Sequence, residues 1–305
     1  MSQANSHSDK PVLGLTFRLI AIASLATMFM LVKFLGERDV HVVEMLFYRF
    51  LFGFVMMGLW VFYRNGLASL KTKRVDLHIS RAITGAVGMG LNFGAVMLLP
   101  MAEAATISFT VPLIATLLSV ILLSEYVGLR RWIAVVVGFI GIVIAIQPWH
   151  NNIPPIGAAV AFAGAVMTAL TIIIVRKLSA TESSATIVFY YTAMSVPVLA
   201  IAMFWFGKAH SWEIFGLLAL IGLFGTIGQI TLSESLRYAN VAVVMPMDYS
   251  NLIFATFFGY MIWDQWPVDS LWFGLPLIVG SGIYIALREH KLSIQRAQHP
   301  ENIAP

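Results

Sequence analysis

The run RRWIAVVVGFIGIVIAIQ, residues 130–147, decides the fold class of this chain. Two arginines precede fifteen residues that carry no charged or amide side chain. A strand of a membrane barrel would alternate apolar and polar residues, whereas this run is continuously apolar. Continuous runs of roughly 20 residues are typical of helices that cross a hydrocarbon core of about 30 Å. The run therefore predicts an all-α integral membrane protein.

Similar runs fill the rest of the chain. Hydrophobic residues make up 59% of the sequence and charged residues 11%, against about 25% charged residues in soluble domains. We expect a cytoplasmic tail at 1–12, a five-helix repeat at 13–148, a second at 149–288, and a cytoplasmic tail at 289–305. The ten predicted spans lie near 14–35, 42–63, 79–99, 103–123, 131–147, 155–175, 184–206, 213–234, 240–262 and 270–287.

The distribution of lysine and arginine predicts the orientation in the membrane. If both termini are cytoplasmic, fifteen of the 19 basic residues fall on the cytoplasmic side, with Arg18 and Arg81 among them. Only three fall on the outer side, and this bias is typical of cytoplasmic loops. We expect Lys33 to reach the outer interface and Glu103 to lie there too. The predicted location is a bacterial inner membrane.

A weak internal repeat relates the two halves. With a shift of 137 residues, Gly85 aligns with Gly222, Gly88 with Gly225, and Asn92 with Gln229. With a shift of 141, the segment Gly141–Ala145 aligns with Gly282–Ala286. Because each half has an odd number of spans, the second half must enter the membrane in the opposite sense. Inverted repeats of this kind are typical of secondary transporters, although gene duplication alone could also produce them.

Several motifs resemble those of the EamA-type, ten-helix branch of the drug/metabolite transporter superfamily. They are Pro100-Met-Ala-Glu-Ala-Ala-Thr106, Phe109-Thr-Val-Pro-Leu113, Ser124-Glu-Tyr-Val-Gly128 and Pro246-Met-Asp-Tyr249. One departure is Asp264-Gln-Trp-Pro267, where the family tends to have Glu before this proline. The resemblance implies transport of a small organic solute. Members of the branch carry amino acids, nucleoside-like metabolites, riboflavin, S-adenosylmethionine or metallophores.

Two proline-interrupted spans are the first candidates for a solute site. Asp248 lies roughly 12 Å inside the ninth span, which makes it the most deeply placed acid in the sequence. Pro246 precedes it, and Tyr249 and Asn251 follow. An ionised carboxylate at that depth needs a proton, a partner or a cationic solute. Its predicted roles are proton coupling or solute contact, and the alternative is a hydrogen bond that fixes the broken helix.

The fourth span has a comparable break at Pro112, with Thr110 beside it. Prolines that interrupt spans at similar places in two halves indicate a transporter site, although proline kinks also serve packing alone. Arg49 lies roughly 10 Å inside the second span, where it could pair with Glu44 or bind an anionic part of the solute. Asn92 and Gln229 could join helices or bind solute.

These features predict a secondary transporter of a small organic metabolite, with an aromatic vitamin or nucleoside-like solute such as riboflavin as the leading candidate. The alternative solutes are amino acids or related zwitterions, moved outward. A membrane-embedded enzyme or a scaffold subunit are the alternatives from other classes, and no catalytic residues are assigned. The expected partners are the solute and the lipid bilayer, with a homodimer left open. We expect no cofactor, no metal and no nucleic-acid partner.

Overall fold

A computed structural model describes residues 11–64, 66, 70–123, 128–147, 153–239 and 244–298, with side chains as far as residue 288. The described residues are mostly helical and contain no strand. The α-helices are α1 (Pro11–Gly36), α2 (Val42–Arg64), α3 (Val75–Leu98), α4 (Met101–Ser108), α5 (Val111–Leu123), α6 (Leu129–Ile146), α7 (Pro155–Leu178), α8 (Ser184–Phe206), α9 (Trp212–Tyr238), α10 (Asn251–Trp263) and α11 (Asp269–Gln298). The predicted fold class, an all-α membrane protein, is confirmed.

Nine stretches within the described residues are long and apolar enough to cross a membrane, and α4 with α5 counts as one of them. The predicted ninth span, 240–262, is not a continuous helix. It consists of a 3₁₀ helix, Met245–Ser250, followed by α10, which has 13 residues. Pro246 has no amide hydrogen to donate to the preceding turn, so the chain adopts the tighter 3₁₀ form before α10 begins.

The predicted fourth span also breaks, between α4 and α5. Backbone amides of Phe109 and Thr110 donate to the carbonyls of Thr106 and Ile107, three residues back, at 3.1 and 3.0 Å. Pro112 then occupies the first turn of α5, where its missing amide hydrogen does no harm. Both breaks predicted from the prolines are therefore present.

The packing of the helices has the symmetry expected of two repeated halves. Helix α1 packs on α9, and its repeat counterpart α7 packs on α3, the counterpart of α9. The pairs α2–α8 and α6–α11 each join a helix to its own counterpart, and the contact between α4 and α10 joins the two broken spans. Exchange of the two halves leaves this pattern unchanged, as an inverted repeat requires. The exact boundary between the halves stays a prediction.

The glycines that align in the two halves also have equivalent neighbours. A Cβ at Gly88 would lie 3.1 Å from Met167 Cβ, and one at Gly225 would lie 2.9 Å from Met28 Sδ. Met28 and Met167 are 139 residues apart, which is close to the shift that aligns the glycines. Small residues allow membrane helices to approach closely. These two positions therefore join α9 to α1 and α3 to α7 in the same way.

Candidate functional site

The two broken spans face each other inside the bundle. Phe109, at the break between α4 and α5, contacts Tyr249 of the 3₁₀ helix, with ring centroids 4.9 Å apart and planes at 65°. Leu113 and Leu252, on α5 and α10, are buried in the same apolar cluster. The edge-to-face arrangement is one that aromatic rings prefer. The structure thus brings together the two proline breaks that the sequence indicated.

Hydroxyl groups without a hydrogen-bond partner lie along these broken spans. Thr110 is fully buried, and its Oγ1 has no partner among the described residues. The Oγ atom of Ser250 and the Oγ1 atom of Thr256 are also buried, and neither has a hydrogen-bond partner among the described residues. Most buried polar groups in proteins are hydrogen-bonded, so each exception requires an explanation. Hydroxyls at a helix break are available to bind a polar solute.

Asp248 is neutralised by an arginine from the far end of the sequence. Arg18 of α1 donates from Nε to Asp248 Oδ1 at 2.7 Å, and its second nitrogen bonds to Oδ2. This is the bidentate geometry in which guanidinium and carboxylate groups bind most strongly. The charge pattern predicts Arg18 at the cytoplasmic end of the first span, and the structure buries it to 6% exposure. Of the predicted ways to neutralise Asp248, the described structure contains a protein partner.

Arg49 does not form the expected pair with Glu44. Glu44 accepts hydrogen bonds from the backbone amide of Lys208 at 3.1 Å and pairs with His210 Nε2 at 2.8 Å. The carboxylate of Glu44 is thus bound by residues of the α8–α9 connection and not by Arg49. Its side chain is 5% exposed, and its Nε has no hydrogen-bond partner among the described residues.

A second arginine completes a cationic cluster with Arg49. The guanidinium carbon of Arg81 lies 3.8 Å from the centre of the Tyr191 ring. The Tyr191 hydroxyl lies beside Arg49, and the two arginines are close enough for their charges to interact. Arg81 is 8% exposed, and its Nε and one terminal nitrogen have no partner among the described residues. We call Arg49, Tyr191 and Arg81 the arginine cluster.

The cluster has no equivalent in the second half. In the register that aligns Gly85 with Gly222, the counterpart of Arg81 is Leu218, which is fully buried. In the register that aligns Met28 with Met167, the counterpart of Arg49 is Val188. The repeat is therefore symmetric in its backbone packing and asymmetric in its buried charge.

The three predicted amide residues differ in their surroundings. Asn92 donates from Nδ2 to Thr168 Oγ1 at 3.3 Å, which joins α3 to α7. Gln229 and Asn251 are partly buried, and neither side chain has a hydrogen-bond partner among the described residues. The contact of Asn92 supports the helix-joining alternative, and a solute role for Gln229 and Asn251 stays a prediction.

The opposite side of the bundle also carries buried charge. Lys33 is 4% exposed and donates to the carbonyl of Leu99 at 2.7 Å. Glu103 is 2% exposed and accepts from the amide of Val268 at 3.3 Å. Both side chains are therefore buried in protein near the ends of their helices, and their position at the membrane interface stays a prediction. The chain bends between α3 and α4, and the carbonyls freed there satisfy the ammonium group inside the protein.

Most of the predicted site residues lie along the broken spans: Asp248, Tyr249, Asn251, Thr110 and the two prolines. Arg49 belongs to the arginine cluster, and Asn92 and Gln229 belong to neither region. Neither Arg18 nor Arg81 was predicted as a site residue. Arg81 lies one helical turn before Gly85, and a Cβ at that glycine would contact both Arg81 and Tyr191. An arginine four residues before a repeated glycine was the available signal.

Nine apolar spans among the described residues, together with two broken segments that face each other, are typical of a multi-pass membrane transporter. The EamA-like transporter family matches residues 12–147 and 155–287. These matches cover most of the chain, so the protein belongs to this family. The resemblance to drug/metabolite transporters is confirmed, and so is the prediction of an inner-membrane protein with a transport function.

Characterised relatives cover most of the chain at modest identity. An S-adenosylmethionine uptake transporter of Rickettsia felis is 28% identical over 91% of this chain and 94% of its own length. A riboflavin transporter of Vibrio cholerae is 28% identical over 74% of this chain and 76% of its own length. A pseudopaline exporter of Pseudomonas aeruginosa is 25% identical over 85% of this chain and 90% of its own length.

A solved crystal structure shares the fold. It aligns with a TM-score of 0.61 over 92% of this chain and 97% of its own, at 18% sequence identity. At that identity the likeness concerns the arrangement of helices alone.

Proposed function

We propose that this protein is a secondary transporter that binds one small organic metabolite between its two halves, at the broken spans. The two halves would rock about the bound solute and expose it to each side of the membrane in turn. The side of the bundle on which α1 begins would face the cytoplasm. The solute would cross without chemical change, which distinguishes this role from that of a membrane-embedded enzyme.

One observation carries the proposal: the breaks of the fourth and ninth spans meet at the contact between Phe109 and Tyr249. Unpartnered hydroxyls of Thr110 and Ser250 lie along the same breaks. Aromatic faces can stack on a flat ring, and hydroxyls can bond to its polar edge. The rings and hydroxyls together are suited to a solute that has a flat ring with polar groups at its edge.

Two of the relatives support a solute with a flat heterocycle. S-adenosylmethionine and riboflavin, the solutes in their names, both contain a fused aromatic ring system with polar substituents. An aromatic vitamin or nucleoside-like solute such as riboflavin is therefore our leading candidate. The second candidate is a zwitterion of the amino-acid type, and the arginine cluster is the observation that favours it.

Reconstitution into liposomes tests the proposal. The purified protein would be compared with empty liposomes for uptake of radiolabelled riboflavin, S-adenosylmethionine and phenylalanine, and the chemical identity of the recovered label would be checked. We expect saturable flux of at least one unchanged solute. Recovery of a modified product would favour an enzyme instead. No saturable flux of any solute would contradict this substrate range.

Matched variants connect the flux to the site. Tyr249→Ala removes a ring from the broken spans, whereas Trp212→Ala removes a ring that is 91% exposed at the end of α9. We expect the first to reduce the flux of the transported solute at least tenfold and the second to leave it unchanged. Equal flux in both variants would show that the solute does not bind at the broken spans.

A further inference from the structure

Two buried cations in the arginine cluster have no anion of their own. Arg49 and Arg81 are 5% and 8% exposed. Neither forms an ion pair with a carboxylate among the described residues. An ionised group in a membrane protein is costly to bury, and such groups almost always pair or mark a solute pathway. The two positive charges also repel each other across Tyr191. A bound anion would therefore lower the electrostatic energy of this region.

Other buried charges in the described bundle have partners. Arg18 binds Asp248, and Glu44 binds His210. Lys33 donates to backbone carbonyls. The protein thus satisfies these three buried charges with its own groups, whereas Arg49 and Arg81 have no carboxylate partner among the described residues.

The surrounding glycines keep space for the cluster. At Gly85, a Cβ would collide with a terminal nitrogen of Arg81 and would lie 2.6 Å from Tyr191 Cε2. At Gly225, a Cβ would lie 3.3 Å from Arg49 Nε. One glycine on α3 and one on α9 therefore allow the arginines to lie between α2, α3, α8 and α9. Because these two residues have no side chain, the guanidinium nitrogens without a hydrogen-bond partner have space beside the backbone.

We propose that Arg49 and Arg81 bind an oxyanion group of the transported solute, a carboxylate or a phosphate, with Tyr191 holding both guanidinium groups in position. Guanidinium presents several N–H donors in one plane, and carboxylate and phosphate oxygens match that geometry. Arg81 has two unpartnered buried nitrogens and Arg49 has one. An oxyanion would satisfy these donors and the excess positive charge together.

This inference deepens the proposed function, because it assigns the solute a negatively charged group. It therefore favours a solute with an acid group over a neutral one such as riboflavin. Its test measures binding and not flux. The anion-binding proposal can therefore fail while the transport proposal holds, and the transport proposal can fail while the anion-binding proposal holds.

The first measurement is thermal stability in detergent. We compare the wild type with Arg81→Gln and Arg49→Gln, and use Arg237→Gln as the control, because Arg237 is half exposed and near Glu234. Uncompensated buried charge destabilises a protein, so both cluster variants should melt at or above the wild-type temperature. Lower melting temperatures for both would show that the arginines support the fold, and would overturn the proposal.

The second measurement is binding of solute pairs by calorimetry in neutral detergent. In each pair one compound, called the anionic member, carries an oxyanion group, and in the other that group is absent, esterified or amidated. The pairs are S-adenosylmethionine and its methyl ester, riboflavin 5′-phosphate and riboflavin, and phenylalanine and phenylalaninamide. We expect the wild type and Arg237→Gln to prefer the anionic member of at least one pair tenfold or more. Arg81→Gln should lose that preference.

Three results would overturn the proposal. One is an absence of any preference for the anionic member in the wild type, and another is a preference that survives in both cluster variants. The third concerns the source of the anion. If anionic lipid stabilises the wild type but not Arg81→Gln, and no solute pair shows a preference, the cluster binds a lipid headgroup.

Discussion

Two regions of this protein bury arginine, and they treat its charge in opposite ways. Arg18 forms a bidentate pair with Asp248, so that region is close to neutral. Arg49 and Arg81 share only Tyr191 between them, so that region carries excess positive charge. A buried arginine that has a carboxylate partner stabilises the fold. A buried arginine without such a partner can bind an anionic group of another molecule. The presence of charge inside the membrane does not by itself distinguish the two.

The largest expected effect comes from removal of the carboxylate that pairs with Arg18. Asp248→Asn leaves Arg18, whose side chain is only 7% exposed, without its counter-charge. Loss of one member of a buried pair costs about 3 kcal/mol, so this variant should melt well below the wild type. Arg18→Gln should cost about 1 kcal/mol, because the Asp248 side chain is 39% exposed and partly accessible to solvent.

The double variant Arg18→Gln/Asp248→Asn is the control, since it removes both charges. It should recover most of the stability lost in Asp248→Asn. Wild-type stability of Asp248→Asn would instead favour the proton-coupling role for Asp248. In that case Asp248→Asn would melt like the wild type and still exchange solute, but would no longer accumulate it in response to a pH gradient.

Close helix packing can be compared beside the arginine cluster and away from it. Leucine at Gly225 meets Met28 and Arg49, whereas leucine at Gly88 meets Met167. Overpacking costs about 1–3 kcal/mol, so both should lower the melting temperature, and alanine at either site should be milder. Only the Gly225 variants should also weaken anion binding. Wild-type stability and transport in both leucine variants would contradict the close-packing interpretation.

The aromatic contact at the broken spans should have a smaller effect on stability. Tyr249→Phe keeps the ring contact with Phe109, whereas Tyr249→Leu removes it. An aromatic pair contributes about 0.5–1.5 kcal/mol beyond its buried area. The leucine variant should therefore melt slightly below the phenylalanine variant in thermal scans. Identical melting temperatures would show that the ring contact adds nothing to the packing of the broken spans.

Orientation can be measured without disturbing either region, because the chain has no cysteine. Single cysteines at Ser69 and Asn152, both outside the described residues, mark the two predicted sides. In intact cells an impermeant thiol reagent should label position 152 and spare position 69, with wild-type transport in both variants. The reverse pattern would place the Arg18–Asp248 pair nearer the outer surface.

The sequence was sufficient to predict the helices and their breaks. Hydropathy depends on composition alone, and proline acts on its own turn, so both signals are local. The predicted break at Pro246 is present, but the short 3₁₀ helix was not expected. Its geometry depends on how Tyr249 and Asp248 contact other helices, and those contacts are not local.

The partners of buried charges could not be predicted in the same way. Arg18 and Asp248 are separated by 230 residues, and the pair forms only because α1 lies against the 3₁₀ helix. Arg81 lies two residues inside the predicted third span, 79–99, and α3 begins four residues before that span, at Val75. A basic residue that the charge pattern assigns to the cytoplasmic side can therefore lie inside the bundle, where its role is different.

Both arginines of the arginine cluster belong to the first half, and Leu218 and Val188 stand at the corresponding positions of the second half. In an ideally symmetric inverted repeat, the inward-facing and outward-facing conformations would be related by a two-fold rotation and would have equal free energies. Charge in one half removes that degeneracy, because the two conformations place Arg49 and Arg81 in different dielectric surroundings. The unloaded carrier should therefore rest on one side of the membrane, and binding of an anion would shift that resting preference.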